Sequence, residues 1–219
     1  MHALIIGGSG RTGKLVIKEL LRRGHEVTAL VRDPAAMEGL TNVNTVQGSP
    51  TQLSDVRKAF HTRIPDVVIV TLNAPRASDS PFAAPISPPR LMADSNANVV
   101  TAMKEFGVQK VIIMQAFGVG ASWPNMSCLL RGLMSKSNMS YQYDDHNMTA
   151  KEVRASGVTY VMVRPSRLVE SDVTAVREWP SDGKGVPLMG STSRKSVACF
   201  LVDAAEESRW DNTAPVITN

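Results

Sequence analysis

Residues 4–21 read LIIGGSGRTGKLVIKELL, an apolar run that leads through a glycine-rich turn into a helical pattern. Gly7, Gly10 and Gly13 give the spacing G-x-x-G-x-x-G. Gly7 permits a tight turn, Gly10 lets the backbone approach a pyrophosphate, and Gly13 allows the helix to pack closely on the strand. The N-terminus of the helix then attracts the anion. Because the motif lies between a strand and a helix, it predicts a dinucleotide site.

The same alternation of short apolar runs and helical patterns continues along the chain. Further β-branched runs predict strands, and they lie at 26–31, 44–47, 66–72, 110–114, 159–163 and 214–218, after the first at 3–6. Helical patterns lie at 11–23, 51–62, 90–106, 140–156 and 195–207. Gly24, Gly107 and Gly157 stand where helices should end. The order predicts an α/β fold with a doubly wound parallel sheet, as one domain over residues 1–219.

The end of the second strand indicates which dinucleotide is bound. NAD sites usually place an acidic residue there for the ribose hydroxyls. This chain reads TALVRDP, so Arg32 comes first, and Arg11 projects from the glycine turn on the same side. Two guanidiniums suit a 2′-phosphate, since they form charge-assisted bidentate contacts with it. Asp33 is the competing residue, and we expect it to point to the other side. The pattern favours NADP(H) as the cofactor.

Composition narrows the classes of protein and of partner. The 219 residues are 43% hydrophobic and 20% charged, and no run of 18 apolar residues predicts a membrane span. The chain shows no secretory signal pattern, and Cys128 and Cys199 fit reduced cysteines, so we expect a cytoplasmic protein. The net charge is +4, but Lys14, Lys18 and Arg22 form one solvated helix face. We therefore predict small-molecule partners, with no nucleic acid, no membrane and no metal.

Two segments depart from the alternation and are candidates for the substrate pocket. Residues 73–90 hold five of the chain's 13 prolines, which excludes a helix and favours a semi-rigid loop of functional use. Residues 116–139 combine Phe117 and Trp123 with Met and Leu side chains. They either line a lipophilic pocket or fill a satellite core. Both segments follow carboxyl ends of strands, where doubly wound folds bind ligands.

Motifs along the whole chain resemble one family. They are GGSGRTG, LVRDP, DVVIVTLN, VVTAMKEFGVQKVI, DDH…K…SGVTYVMVRPSRL and SVACFLVDAAEE, in that order. The chain resembles the NmrA-like atypical short-chain dehydrogenases/reductases, closest to the biliverdin-IXβ reductase/flavin reductase group. The resemblance implies a Rossmann-type domain, usually monomeric, that binds NADPH and reduces flavins, biliverdin-like tetrapyrroles or quinones. Some members are cofactor sensors, and others serve non-redox steps in specialised metabolism.

The resemblance also assigns residues to the cofactor. The implied pyrophosphate contacts are Gly7, Ser9, Gly10, Arg11, Thr12 and Gly13, and Arg32 is the implied 2′-phosphate contact. Leu72, Asn73 and Ala74 would run along the cofactor, Arg76 would stand at the loop entrance, and Pro165 and Ser166 would lie near the nicotinamide. Ser49 replaces the family's Asp after the third strand, which puts the adenine contact in doubt. Gln115 stands where the family often has Ser.

The helical stretch SYQYDDHNMTAK, residues 140–151, lacks the Tyr-Lys pair of short-chain dehydrogenases. Lys151 follows Tyr143 by eight residues, roughly 12 Å along a helix, so the two side chains cannot share a proton. Tyr143, His146 and Asn147 share one face. His146 is the best candidate acid, because imidazole titrates near neutral pH. The alternative is a structural histidine, held by a neighbour such as Asp145.

The missing dyad excludes an ordinary alcohol dehydrogenase but not every reductase. Hydride transfer to a flavin or quinone needs less acid assistance, since solvent protonates the product later. We therefore predict an NADPH-dependent oxidoreductase that acts on a planar, lipophilic, conjugated acceptor, with Tyr143, His146 and Gln115 as the candidate catalytic residues. The alternatives are a non-redox cyclase or isomerase, in which these residues orient the substrate, and an NADP-sensing regulator that binds a protein partner.

Overall fold

Eight strands form the main sheet of the computed structural model, which describes residues 1–78 and 80–219. The ten strands of the described residues, in chain order, are β1 (His2–Ile6), β2 (Glu26–Val31), β3 (Val43–Gln47), β4 (Val67–Val70), β5 (Lys110–Met114), β6 (Thr159–Pro165), β7 (Arg167–Val169), β8 (Arg177–Trp179), β9 (Ser191–Ser193) and β10 (Val216–Thr218). The order in the sheet is β3-β2-β1-β4-β5-β6-β10-β8. All neighbours are parallel except β10 and β8, and β7 pairs with β9 in a small second sheet.

Six α-helices lie among the described residues. They are α1 (Arg11–Arg22), α2 (Leu53–Thr62), α3 (Leu91–Phe106), α4 (Cys128–Ser135), α5 (Met139–Ala155) and α6 (Arg194–Glu206). The five predicted helices are confirmed to within two residues at either end. Gly24, Gly107 and Gly157 follow α1, α3 and α5 with φ of +78°, +75° and +83°, as predicted for helix ends.

Two hydrophobic clusters enclose the sheet, one on each face. Ile5 of β1 packs with Val16 and Leu20 of α1 and with residues of α6. Its neighbours Leu4 and Ile6 point to the other face, among residues of α2, α3 and α5. Every residue of β1 is therefore buried, which explains why the strand is apolar without alternation. The doubly wound parallel fold of the Rossmann type is confirmed.

The strand order reverses at β1, which lies between β2 and β4. Ile5 pairs with Ala29 of β2 on one side and with Ile69 of β4 on the other. The chain passes from β1 to α1 on one face of the sheet and from β4 to α3 on the other, so a crevice opens at the carboxyl ends of these two strands. Doubly wound sheets bind ligands at such a switch point. The glycine turn begins there.

A buried carboxylate joins the two long helices α3 and α5. Asp145 accepts hydrogen bonds from the backbone amides of Met92 and Ala93, both at 2.8 Å, in the first turn of α3. Arg90 precedes that turn in the left-handed conformation, with φ of +62°, and its side chain offers no cap. Asp145 therefore satisfies two amides that have no partner within the helix.

We expect Asp145→Ala to lower the free energy of unfolding by about 1–3 kcal/mol, since two buried amides lose their acceptor. Urea denaturation of the purified protein measures this loss. The control is Asp144→Ala, which removes the exposed neighbouring carboxylate on α5 and should change stability by less than about 0.5 kcal/mol. Equal losses in the two variants would contradict the capping role.

Candidate functional site

The turn between β1 and α1 brings two backbone segments into contact. An added Cβ at Gly13 would lie 2.2 Å from the carbonyl oxygen of Gly7, and at Gly7 (φ +87°) it would lie 3.0 Å from backbone atoms of Thr71. Gly10 donates its amide hydrogen to that same Gly7 oxygen at 3.1 Å. The hydroxyl of Thr71 donates to it as well, also at 3.1 Å. The turn is thereby fixed against the end of β4.

The N-terminus of α1 opens onto the crevice. Gly10 begins the helix without a side-chain hydrogen bond to cap it, and Ser9, Gly10 and Arg11 are exposed. The first amides of an α-helix have no partner within the helix and carry its positive dipole end. Together with the tight turn beneath it, this arrangement forms a cradle that could hold a phosphate group.

The ends of β2 and β3 border the cradle on one side. Arg32 follows β2 and is exposed, whereas the carboxylate of Asp33 accepts a hydrogen bond from the amide of Ala35 at 3.0 Å and begins a short 3-10 helix. The carboxylate of Asp33 is thus already hydrogen-bonded within its own turn. Ser49 follows β3, where its amide donates to Asp55 at 2.8 Å and its hydroxyl pairs with Thr51.

The end of β4 borders the cradle on the other side. Leu72 is half-buried, Asn73 is exposed and Ala74 is buried. The side-chain amide of Gln142 on α5 donates to the side chain of Asn73 and to the carbonyl of Ala74. Arg76 donates to the carbonyl of Ser80 at 2.7 Å, so its guanidinium supports the loop that follows. The contacts made by Gln142 were not predicted from the sequence.

The end of β6 joins the main sheet to the small one. Pro165 ends β6, and the hydroxyl of Ser166 lies 2.8 Å from that of Thr192 in β9. The amide of Ser166 donates to the carbonyl of Ile217. The three strands β7, β8 and β9 were not predicted, because runs of three residues carry too little hydrophobic pattern.

The three candidate catalytic residues lie together beyond β5, and hydrogen bonds join them to each other and to the turn there. They are Gln115, Tyr143 and His146. The side-chain amide of Gln115 donates to the backbone carbonyl of His146 at 3.0 Å. The hydroxyl of Tyr143 donates to the carbonyl of Phe117 at 2.9 Å. Asn147 accepts from the amide of Gly120 at 2.9 Å, so the predicted shared face of the helix holds the turn after β5.

Burial sets the protonation states in this cluster. It raises the pKa of Tyr143 to about 12, so the phenol stays protonated. Burial, followed by the charge of Arg164, lowers the pKa of His146 to about 4. The imidazole is therefore neutral at pH 7 and lacks the proton of an imidazolium acid. Asp145 does not hold His146 as expected, since its carboxylate binds the first turn of α3.

Arg164 is a residue of this cluster that the sequence analysis missed. Its guanidinium lies within the protein, with 1% of the residue exposed, and it donates from Nη1 to the carbonyl of Ser181 at 3.1 Å. Nε of Arg164 lies 3.5 Å from Oε1 of Gln115. The signal was present in the sequence, since a charged residue interrupts the apolar run TYVMVRP of β6.

The two segments proposed as the pocket mouth contact each other. The described part of 73–90 is a loop in which Arg76 and Pro85 form an antiparallel bridge. Asn138, just before α5, donates to the carbonyls of Phe82 and Ala83 at 3.0 and 3.2 Å. Phe82 and Ile86 on this loop are 65% and 66% exposed. Within 116–139, helix α4 was not predicted from the sequence.

A separate cavity of about 360 Å³ lies beside α1 and α6, lined by Leu15, Glu170, Ser171, Asp172 and Lys195. Lys195 is paired with Asp172 at 2.7 Å. Its acidic lining does not suit a phosphate, so we do not place the dinucleotide there. In residues 1–78 and 80–219, no group of three or more His, Cys, Asp or Glu side chains has the arrangement of a metal site. No helix in the same residues could span a bilayer.

Comparison with known protein families gives a match over most of the chain. A family model described as NAD(P)H-binding matches residues 7–208. Divinyl chlorophyllide a 8-vinyl-reductase of Arabidopsis thaliana is 23% identical over 236 residues, which cover 99% of this chain and 53% of the relative. The 3-diazoavenalumate denitrifying reductase of a Streptomyces species is 29% identical over 126 residues, 57% of this chain and 41% of the relative. The chain thus spans about half the length of the curated relatives it matches.

Solved structures share the whole fold. ChuY, an anaerobilin reductase from Escherichia coli O157:H7, superposes with a TM-score of 0.79 at 16% identity, covering 100% of this chain and 97% of that one. A short-chain dehydrogenase/reductase from Veillonella parvula, solved in complex with NADP, gives 0.77 at 16% identity, with 100% and 94% covered. At such identities the likeness establishes the fold, and the family match confirms the NAD(P)H-binding family predicted from the sequence.

The lowered pKa of His146 makes the stability of the protein depend on pH. Below pH 6.5, the value for an unperturbed histidine, the unfolded chain takes up a proton that the folded chain binds only near pH 4. The stability due to a neutral His146 is therefore lost as the pH falls through this window. The shift corresponds to roughly 3 kcal/mol.

We expect His146→Gln to lose less stability than wild type between pH 6.5 and pH 4. Denaturant midpoints measured across this range test the difference between the two proteins. The control is His61→Gln on the exposed surface of α2, which should follow wild type. Parallel curves for wild type and His146→Gln would show that His146 titrates normally.

Proposed function

We propose that this chain, which belongs to the NAD(P)H-binding family, is an NADPH-dependent oxidoreductase that reduces a planar, lipophilic, conjugated acceptor such as a flavin or a quinone. The observation that carries the proposal is the glycine turn beneath the N-terminus of α1. At Gly13 a side chain would collide with the backbone of Gly7. The close approach leaves helix amides facing the switch point of the sheet, where dinucleotides bind.

The residues around the cradle fit a dinucleotide. Ser9, Gly10, Arg11, Thr12 and Gly13 would hold the pyrophosphate, and Ser49 would border the adenine. Leu72, Asn73, Ala74 and Arg76 would follow the cofactor along the end of β4, and Pro165 and Ser166 would border the nicotinamide. When bound, NADPH supplies a hydride to an acceptor placed beside it.

Preference for NADPH over NADH rests on Arg32, with Arg11 in support. Arg32 is exposed at the carboxyl end of β2, the position that reads the ribose in this type of fold. The carboxylate of Asp33 is engaged by the amide of Ala35. A free guanidinium fork there would match a 2′-phosphate in geometry and in charge.

The acceptor side supports a reaction that takes little acid assistance from the protein. Gln115 and Tyr143 direct their hydrogen bonds to backbone carbonyls, and His146 is neutral. We therefore give these three residues a positioning role in the acceptor pocket, with the product protonated by solvent. Exposed Phe82 and Ile86 offer apolar contact surface, which suits a planar hydrophobic acceptor.

The names of two relatives support a reductase acting on a conjugated compound. One is a divinyl chlorophyllide a 8-vinyl-reductase and one is an anaerobilin reductase. Both reactions named there are reductions.

Purified protein mixed with NADPH and a panel of FMN, FAD, a naphthoquinone and a benzoquinone tests the function. We expect acceptor-dependent loss of the near-ultraviolet absorbance of NADPH, because its hydride passes to the acceptor. The control is Gly13→Val, which blocks the cradle and should abolish turnover. If no acceptor oxidises NADPH although NADPH binds, the redox proposal is wrong and a non-redox or sensing role takes its place.

A second prediction concerns cofactor choice. Arg32→Ala removes a charge-assisted contact of roughly 1.5–3 kcal/mol, so NADPH affinity should fall on the order of 10- to 100-fold. NADH affinity should barely move, since NADH has no 2′-phosphate. Arg11→Ala should act in the same direction but more weakly. Titrations of each variant with both cofactors measure the change.

The matched control for this experiment is Arg22→Ala. Arg22 is also exposed, but it is the last residue of α1, at the end of the helix away from the glycine turn, and it pairs with Glu19. It should leave both affinities unchanged. If Arg32→Ala weakens both cofactors equally, Arg32 supports the fold, and a wild type that prefers NADH would contradict the NADPH assignment.

A further inference from the structure

Arg164 is a buried cation in β6 and is among the largest fully buried side chains. Among residues 1–78 and 80–219, no carboxylate forms an ion pair with it. Burial and then the charge of Arg154 lower its pKa to about 10, so it is still charged at neutral pH. Burying a charge is costly unless hydrogen bonds compensate for the loss of water. The hydrogen bonds of Arg164 are therefore needed to compensate for the burial of its charge.

The guanidinium bridges segments that leave different strands. Nη1 donates to the carbonyl of Ser181, in the connection from β8 to β9. Nε faces Oε1 of Gln115, whose amide in turn donates to His146 on α5. On a third side, an added Cβ at Gly120 would lie 3.2 Å from Nη2. Arg164 thus lies beneath the turn after β5 and holds the 180–190 connection to it.

The 180–190 connection is also docked on the turn after β5 by its own backbone. Gly183 has φ of +71°, and an added Cβ there would lie 2.4 Å from the ring of Phe117. Asn125 donates to the carbonyl of Asp182 at 2.9 Å. Farther along, Leu188 and Met189 are 57% and 78% exposed. The connection therefore contacts a segment that we place in the acceptor pocket, and it carries exposed apolar side chains.

We propose that residues 180–190 form a third wall of the acceptor pocket and that Arg164 is the positioning residue that anchors this wall. The inference rests on the proposed function for the acceptor, but the anchoring itself does not. A charged donor in a dry setting binds carbonyl oxygens more strongly than a neutral donor does. The planar fork reaches Ser181 and Gln115 at once, which a lysine ammonium cannot do with the same geometry.

Hydrogen–deuterium exchange of the acceptor-free protein tests the anchor without reference to activity. In Arg164→Met, we expect the amides of Gly183, Lys184 and Val186 to exchange on the order of tenfold faster, because the wall loses a charge-assisted bond. Exchange in β1 and β2 should stay unchanged. Arg164→Lys should restore part of the protection. The control is Arg57→Met, which removes an exposed arginine paired with Glu105 on another face.

Steady-state kinetics test the wall. With a soluble naphthoquinone as the acceptor, we expect Arg164→Met to raise the quinone KM several-fold while NADPH affinity changes less than about twofold. Leu188→Ser combined with Met189→Ser should raise the same KM without changing exchange at Gly183. If the exchange rises but the quinone KM does not, the connection is not a wall.

If Arg164→Met does not fold, two further variants test whether residues 180–190 are anchored and form a wall. Asn125→Ala removes the exposed donor to Asp182, and Gly183→Val forces the connection away from Phe117. Both should accelerate exchange across 180–190 and raise the quinone KM. Unchanged local exchange in the folded variants, or acceleration spread over the whole chain, would overturn the anchor. A protein with this anchor but no reductase activity would overturn the proposed function and leave the anchor standing.

Discussion

The contact between Gly13 and the carbonyl of Gly7 fixes the geometry on which the site depends. At this point the first turn of α1 lies closer to the turn after β1 than any side chain would allow. The Gly7 oxygen also accepts hydrogen bonds from Gly10 and Thr71, so the turn, the helix and β4 meet at one atom. Because β1 lies where the strand order reverses, the N-terminus of α1 is held at the mouth of the crevice.

The turn between β1 and α1 could be predicted from the sequence because the features that determine it are local. A glycine at each tight position, an apolar strand before it and a helical pattern after it are all contained in residues 3–23. The five long helices were predicted for the same reason, since the hydrophobic periodicity of each lies within its own segment and glycines mark the ends of three of them. The short strands β7 to β9 were missed, because their pairing depends on contacts such as Ser166 with Thr192.

The region around Gln115, Tyr143 and His146, which we propose contacts the acceptor, was harder to predict because its polar groups find partners far along the chain. Residue spacing correctly placed Tyr143, His146 and Asn147 on one face of α5, but it did not reveal that this face holds the turn after β5. Asp145 was expected beside His146 and instead caps α3, more than 50 residues earlier in the chain. The protonation state of His146 depends on its burial, which cannot be read from the order of the residues. His146 is neutral because burial lowers its pKa.

The segments that we propose as walls of the acceptor pocket are joined through main-chain oxygens. Asn138 binds the carbonyls of Phe82 and Ala83, Asn125 binds that of Asp182, and Arg164 binds that of Ser181. A carbonyl is present whatever side chain its residue carries. Evolution or an engineer is therefore free to replace the side chains that line the walls while the joints between them persist. The scaffold thus separates the glycine turn, where Gly13 leaves no room for a side chain, from a lining whose side chains can change without a new fold.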